Sequence, residues 1–137
     1  MLKPLFFFFL TGSLLFAEAT MVKDTRTGLM WEDTPHVKKT KITHPRANAY
    51  CNELKLGGFD NWRLPTVKEL LSIVDYSREE PATFAVFSYI EKESFYWSST
   101  PVAGEDDEFW GVNFKYGESS RASEYYDRYV RCVRDMK

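Results

Sequence analysis

The sequence has few of the features that mark membrane, nucleic-acid-binding or repeat proteins. Beyond its first residues it contains no apolar segment of the roughly 20 residues that a transmembrane helix needs. No part of it is strongly basic, and the formal net charge of -2 argues against nucleic acid as a partner. Internal repeats and low-complexity segments are also absent. Hydrophobic residues nevertheless make up 44% of the chain, which is enough for one packed core.

The one long apolar run lies at the N-terminus and is typical of an export signal. Lys3 gives a positive start, residues 4–16 are almost wholly apolar, and residues 17–19 (Ala-Glu-Ala) have the pattern of a cleavage site. We therefore expect a signal peptide over residues 1–19 and one exported domain over residues 20–137. A retained membrane anchor is the alternative. No cysteine follows the run, so we expect no lipid attachment, and the expected location is the periplasm or the cell exterior.

Cysteine is scarce, and both cysteines lie in the part that we expect to be exported. An even number of cysteines in an exported chain favours one disulfide, here between Cys51 and Cys132. The bond would close a loop of about 80 residues, for which chain entropy predicts roughly 4–5 kcal/mol of stabilisation. Two separate buried thiols are the alternative.

Hydrophobic spacing predicts a hairpin followed by two helices. Residues 22–24 and 29–31 flank a turn that contains Gly28, which is typical of a β-hairpin. Apolar residues at three-and-four spacing predict helices over residues 45–55 and 66–76. Thr66 and Glu69 form the sequence pattern of a capping box at the start of the second helix.

The second half of the chain has the alternating pattern of half-buried strands. The predicted strands cover residues 95–99, 109–114 and 129–133. Three polar segments are interpreted as loops or turns: residues 33–41, 104–108 and 117–127. A hairpin, two helices and then antiparallel strands predict an α+β domain.

Several sequence blocks form a specific pattern over nearly all of the expected exported part. They are Thr27-Gly28-Leu29-Met30-Trp31, Ala49-Tyr50-Cys51, Leu56 to Thr66 with Glu69-Leu70, Tyr96-Trp97-Ser98-Ser99-Thr100, Trp110-Gly111-Val112 and Tyr129 to Arg134. This pattern closely resembles the C-terminal domain of the Legionella collagen-like (Lcl) adhesin. The resemblance implies a C-type-lectin-like fold, which is also similar to that of formylglycine-generating enzymes. Two helices would pack on a twisted antiparallel sheet, and long loops from the second half would form a binding face.

In the namesake adhesin this domain forms trimers and binds sulfated glycosaminoglycans. No collagen-like repeat is present in this sequence, so we do not carry trimerisation over, and the homo-oligomeric state stays open. The Glu-Pro-Asn and Trp-Asn-Asp motifs of lectin calcium sites are absent too. The nearest acidic group, Glu105 to Glu108, is interpreted as a solvated loop, with a calcium site as the alternative.

The residues that suggest catalysis or metal binding lack the partners that such chemistry requires. His36 and His44 have no nearby cysteine or carboxylate to complete a zinc site, so we interpret them as surface histidines and expect no metal or cofactor. Formylglycine-generating enzymes need reactive cysteines, but here both are assigned to a disulfide. Ser98, Ser99 and Thr100 have no motif that supplies a base, so we expect a protein that is not an enzyme.

Two structural roles are expected within the recognised blocks. The four tryptophans, at positions 31, 62, 97 and 110, are interpreted as core residues rather than sugar-stacking platforms. Asp60 and Arg63 are close enough in sequence to form a buried ion pair.

The most promising binding residues lie in the predicted loop before the last strand. They are tyrosines and arginines, the residue types that most often anchor interfaces: Tyr116, Arg121, Tyr125, Tyr126 and Arg128. The fold resemblance places this loop on the ligand face, whereas an ordinary polar hairpin is the alternative. A separate basic run, Lys38-Lys39-Lys41 with Arg46, is either a solvated loop or a contact for a sulfated polysaccharide.

Together these features predict an exported, non-catalytic, adhesin-like recognition domain. Its ligand would be a glycan, most simply a polysaccharide, or another surface or envelope component. The alternative is an accessory or structural subunit that binds a partner protein in an envelope complex.

Overall fold

The computed structural model describes residues 15–18, 20–93 and 95–137, so most of the expected signal peptide lies outside the described residues. The described helices are α1 (Pro35–Lys39), α2 (His44–Glu53) and α3 (Val67–Leu71). The described strands are β1 (Leu15–Glu18), β2 (Met21–Asp24), β3 (Leu29–Glu32), β4 (Lys41–Ile42), β5 (Phe95–Pro101), β6 (Glu108–Asn113), β7 (Glu118–Ser123), β8 (Arg128–Tyr129) and β9 (Val133–Asp135). No helix in these ranges has the length and apolar character to span a bilayer.

The strands form two sheets, and the protein is an α+β domain. The first sheet has the order β1-β2-β3-β9 and is antiparallel throughout. The second has the order β4-β8-β5-β6-β7, in which β5 and β8 run parallel. The fold class predicted from the element order is therefore confirmed.

The beginning and the end of the domain are fastened together. Trp31 of β3 pairs with Val133 of β9, and Arg63 forms a further bridge to Val133. The predicted disulfide is present, since Cys51 of α2 is bonded to Cys132 with an S–S distance of 2.07 Å. Both cysteines are fully buried. The bond thus joins an early helix to the segment between β8 and β9.

Among the described residues, the core consists of two hydrophobic clusters. One packs α3 and its following turn against both sheets, and its buried members include Trp31, Leu70, Tyr96 and Phe114. The other surrounds the disulfide and includes Trp62 and Trp97. The core role predicted for the tryptophans is confirmed at positions 31, 62 and 97, whereas Trp110 is half-buried.

Several predicted elements differ from those in the structure. The segment 33–41, interpreted as a loop, contains the one-turn helix α1, in which only Val37 is buried and no apolar period exists to predict it. The helix predicted over 66–76 ends at Leu71, because Ser72 and the residues after it form a tight turn. Its capping box is confirmed: Thr66 Oγ1 accepts from Glu69 N at 3.1 Å, and Glu69 Oε1 accepts from Thr66 N at 2.8 Å.

The prediction was also wrong about two segments near the C-terminus. Residues 118–123 form the edge strand β7, not part of a loop, and four of its six residues are exposed. An exposed edge strand has no buried alternation that would reveal it. The strand predicted over 129–133 is divided between β8 and β9, because the chain leaves one sheet there and enters the other.

The expected ion pair between Asp60 and Arg63 does not form. Arg63 instead pairs with Glu69 at 2.7 Å and Asp135 at 3.1 Å, while Asp60 is exposed. The interaction therefore links the start of α3 to the C-terminal strand rather than stabilising a local turn.

Candidate functional site

A cleft of about 340 Å³ opens on one face of the second sheet. It extends from β4 and β8 across the start of β5 to β6 and β7. Its lining comprises Lys41, Glu93, Phe95, Asn113, Ser120, Arg121, Ala122, Asp127, Arg128 and Tyr129. Because most of these side chains are polar or charged, the cleft suits a polar ligand.

The floor of the cleft depends on the close approach of β5 and β6. Phe95 at the start of β5 pairs with Asn113 of β6 and is only 8% exposed. Two residues before Asn113, on the same face, β6 has Gly111. A Cβ atom on Gly111 would lie 2.3 Å from both Phe95 Cζ and the Tyr96 carbonyl oxygen. The missing side chain therefore makes room for the aromatic floor.

Arg128 is a half-buried cation in contact with the aromatic part of the cleft. Its guanidinium lies 5.7 Å from the Phe95 ring centroid and 5.3 Å from that of Tyr126, and Nη1 donates to the Asp127 carbonyl at 3.0 Å. Within the part of the chain that the structure describes, Arg128 forms no ion pair with a carboxylate. Its remaining donors point to a site for an anionic or hydroxylated group.

A second cation comes from the basic run. Lys41 lies on β4 opposite Tyr129, and its Nζ is 5.8 Å from that ring centroid. In the described ranges Lys41 also lacks an ion pair. The basic run does not act as one patch, since Arg46 lines a different recess near His36 and Tyr50.

The cleft is not uniformly positive. Glu93 and Asp127 also line it, and Arg121 lies 3.6 Å from Glu108 through Nε, so part of its charge is compensated. Alternation along β7 directs Arg121 to the face opposite that of Ser120. Among the cations of the lining, Lys41 and Arg128 are therefore the ones available to a ligand.

The sequence-predicted binding residues are brought together only in part. Arg121 and Arg128 line the cleft, and Tyr126 packs beside Arg128. Tyr125 is 72% exposed in the β7–β8 turn. Tyr116 lies in the turn at the other end of β7, in an adjoining recess that shares Asn113 and Ser120 with the cleft.

Sequence reasoning missed Phe95, Asn113 and Ser120 as cleft residues. Phe95 was recognised as a strand residue, but its contact with the cleft depends on Gly111 and on β8 from a distant part of the chain. Asn113 and Ser120 had no sequence signal beyond their polarity, because their positions follow from the pairing of β6 with β7.

The acidic loop brings three carboxylates together. Ligand oxygens of Glu105, Asp107 and Glu108 all lie within 4.8 Å of one another. The cluster is exposed at Glu105 and Asp107, and Glu108 is also the partner of Arg121. Exposed carboxylates commonly form such groups, and these interactions are those of a solvated loop.

The two histidines differ from expectation because neither is a freely solvated side chain. His44 is buried: its ring stacks on Phe109 at 3.5 Å, and Nε2 is 2.8 Å from the Ser98 carbonyl oxygen. Burial lowers the pKa of His44, although that hydrogen bond and Glu124 act in the opposite direction. His36 stacks on Tyr50 at 4.0 Å. Both rings are thus explained by packing.

Comparison with known families gives a match to a family model over most of the chain. The family model described as the Lcl C-terminal domain matches residues 20–134. No curated protein matches the chain. The matched range contains the disulfide and every residue that lines the cleft.

Proposed function

This chain belongs to the Lcl C-terminal domain family, and we propose that it is an exported, non-catalytic recognition domain whose cleft binds an acidic glycan. The observation that carries the proposal is the Arg128 guanidinium, which has no carboxylate partner among the described residues and lies against the rings of Phe95 and Tyr126. A guanidinium binds carboxylate or sulfate through paired donors, and the exposed ring of Tyr126 offers apolar surface to a sugar ring. Lys41 adds a second cation at the same cleft.

Export is supported by the sequence signal over residues 1–19 and by the disulfide. Structural disulfides persist in oxidising compartments, and Cys51 and Cys132 are bonded here. The domain would therefore meet its ligand in the periplasm or at the cell exterior.

A non-catalytic role is supported by the structural use of the candidate nucleophiles. Ser98 is buried and donates its hydroxyl to the Trp110 carbonyl at 2.5 Å. Thr100 Oγ1 accepts from Val67 N at 3.0 Å. A nucleophile needs a neighbouring base instead of such a structural partner.

Retention on two immobilised polysaccharides tests the proposal. Heparin presents sulfate groups and alginate presents carboxylates, so the two columns distinguish the anionic groups that the cleft prefers. We expect the protein to bind at low salt and to elute as salt rises. The Lys41→Ala/Arg128→Ala variant should elute earlier than the Lys38→Ala/Lys39→Ala variant, which removes the same charge from α1. Equal elution of the two variants on both columns would refute the cleft as the binding site.

The exposed tyrosines favour a second candidate, a subunit that binds a partner protein. Tyr76 and Tyr125 are more than 70% exposed, at 73% and 72%, and Tyr126 is 59% exposed. Tyrosine is a common anchor of protein interfaces. If this candidate is correct, a stoichiometric partner will co-purify from native envelope, and Tyr125→Ala/Tyr126→Ala will release it while glycan columns retain neither variant nor wild type.

A further inference from the structure

The first sheet contains a strand that the proposed signal cleavage would remove. Strand β1 pairs antiparallel with β2 residue by residue, from Leu15 opposite Asp24 to Glu18 opposite Met21. Cleavage after Ala19 would separate all of β1 from the domain. β2 would then be an edge strand, with backbone N–H and C=O groups open to another strand.

On one of its two sides, strand β1 faces the hydrophobic core. Leu15 is partly buried against the cluster that contains Trp31 and Leu70. Leu15 pairs with Asp24, and the two positions face the same side as Val22, which is fully buried. Removal of β1 would therefore uncover apolar surface as well as backbone groups, and a replacement strand would need an apolar residue at the position of Leu15.

On the opposite side of the sheet, strand β2 borders a groove. Positions 16 and 18 pair with Lys23 and Met21. These two residues alternate with Val22 and so face away from the cluster that contains Trp31 and Leu70, and Met21 packs on the cluster around the disulfide. The groove has a volume of about 750 Å³, and its lining includes Lys23, Met30, Phe59, Arg134, Met136 and Lys137. It therefore combines an apolar floor with three cationic side chains.

The charge of the groove indicates what kind of strand fits. Asp135 also lines it, but this carboxylate is paired with Arg63 at 3.1 Å. Arg134 lies 3.6 Å from the Phe59 ring centroid and donates through Nε to Asn61 Oδ1 at 2.7 Å. A second copy of β2 would bring another Lys23 to this cationic edge, which is unfavourable. A strand with an acidic residue on the groove side is complementary.

We propose that export opens the β2 edge as a docking site for an extended strand of a partner polypeptide. The partner strand has an apolar residue at the position of Leu15 and an acidic residue on the groove side. Backbone pairing supplies affinity, and the two positions supply specificity, as in other cases of strand addition. The inference depends on the proposed export of the domain, but it does not depend on the ligand of the cleft.

The test uses protein exported from the full-length gene and purified from the periplasm of a bacterial host. Intact mass should correspond to residues 20–137, and the outward-facing amides of Met21–Asp24 should exchange rapidly with deuterium. A blocked synthetic peptide of residues 13–19 serves as the probe strand. We expect it to bind and to slow the exchange of these amides.

Matched variants separate strand docking from general attraction. A Leu15→Asp peptide should bind at least about tenfold more weakly, because it places a charge at the core-facing position. Lys23→Glu in the protein should weaken the wild-type peptide roughly two- to fivefold, as expected for an exposed charge pair. Lys38→Glu, an exposed change on α1, should leave peptide binding unchanged.

The possible failures are distinguishable from one another. Slow exchange at Met21–Asp24 in correctly processed protein, with no response to the peptide, would overturn the docking site and leave export intact. Retention of residues 1–19 would overturn both the cleavage of the signal peptide and the docking site. The polysaccharide columns would still test glycan binding by the cleft independently. Protection that rises with protein concentration would assign the edge to a second copy and overturn the partner strand.

Discussion

At the scale of single residues, Arg131 shows how this fold holds a charge in its interior. Its side chain is fully buried, and Nη1 donates to the Glu32 carbonyl at 2.6 Å and to Asp33 Oδ1 at 3.2 Å. Nη2 donates to the Tyr89 carbonyl. Asp33 in turn accepts from the backbone of Ser88 at 2.9 Å. The pair thus attaches the long connection before β5 to the end of β3.

Replacing Arg131 should destabilise the domain strongly. Arg131→Leu leaves the Asp33 carboxylate buried without its cation, for which a loss of about 3–5 kcal/mol is expected. Urea denaturation followed by tryptophan fluorescence measures the change in the free energy of unfolding. Arg128→Leu removes a half-buried arginine whose guanidinium contacts two aromatic rings, and it should change stability by no more than about 1 kcal/mol. Equal stability of the two variants would contradict the network.

Glu69 links the capping box of α3 to the C-terminal strand and provides a test of pH dependence. Burial by itself would raise the pKa of Glu69, but hydrogen bonds from Arg63 and Thr66, together with the charge of Arg63, outweigh burial and lower it. A lowered pKa means that the folded state favours the carboxylate. Its stabilisation is therefore present above the pKa of an unfolded glutamate, about 4.3, and is lost as pH falls through the lower folded pKa.

Glu69→Gln should accordingly cost stability at neutral pH and less in acid. We expect a loss of about 1 kcal/mol at pH 7, since the substitution removes a partly exposed ion pair with Arg63, whereas the Gln carbonyl can still accept the cap bond from Thr66 N. The difference between variant and wild type should shrink as pH falls below about 4. Urea titrations at several pH values, with exposed Glu53→Gln as control, measure this. A difference independent of pH would exclude the ionised carboxylate as its cause.

At the scale of elements, the contact between β5 and β6 supports the floor of the cleft. Gly111→Ala would force a methyl group against the Tyr96 carbonyl oxygen, a backbone atom that cannot rotate away. We expect a loss of about 1–3 kcal/mol in stability and weaker polysaccharide retention, because Phe95 must move. Ser120→Ala, opposite Gly111 in the β6–β7 register, is the stability control. A fully stable Gly111→Ala variant would contradict this role of the glycine.

The same elements show what local sequence could and could not predict. Thr66 and Glu69 identified the start of α3, and Gly28 identified the β2–β3 hairpin, because these signals act over a few residues. The edge strand β7 and the transfer of the chain from β8 to β9 depend on partners far away in sequence.

The candidate site, like the secondary-structure elements, could be predicted only where the signal is local in sequence. Arg128 and Tyr126 were selected by residue type, and the structure places them together. Phe95 and Lys41 come to the cleft only through the packing of β5 and β4 beside β8. Residue chemistry could therefore suggest part of the lining, while its geometry depends on non-local strand pairing.

At the scale of the whole molecule, the Cys51–Cys132 bond closes most of the domain into one loop. The two cysteines are 81 positions apart, and the chain-entropy model assigns such a loop about 4–5 kcal/mol of stabilisation. Reduction should lower the free energy of unfolding by that amount, and Cys51→Ala/Cys132→Ala should behave similarly. Urea denaturation with and without reductant checks this. A change below about 1 kcal/mol would show that packing alone holds the termini.

The central claim, that the cleft binds an acidic glycan, is tested most directly by mapping the ligand in solution. Titrating isotope-labelled protein with heparin or alginate oligosaccharides should shift the backbone amide signals of Phe95, Asn113, Ser120 and Arg128 most. Arg128→Ala should weaken the affinity about tenfold, the usual effect of losing a charged hydrogen bond. Shifts confined to α1, or affinity unchanged by Arg128→Ala, would contradict the account.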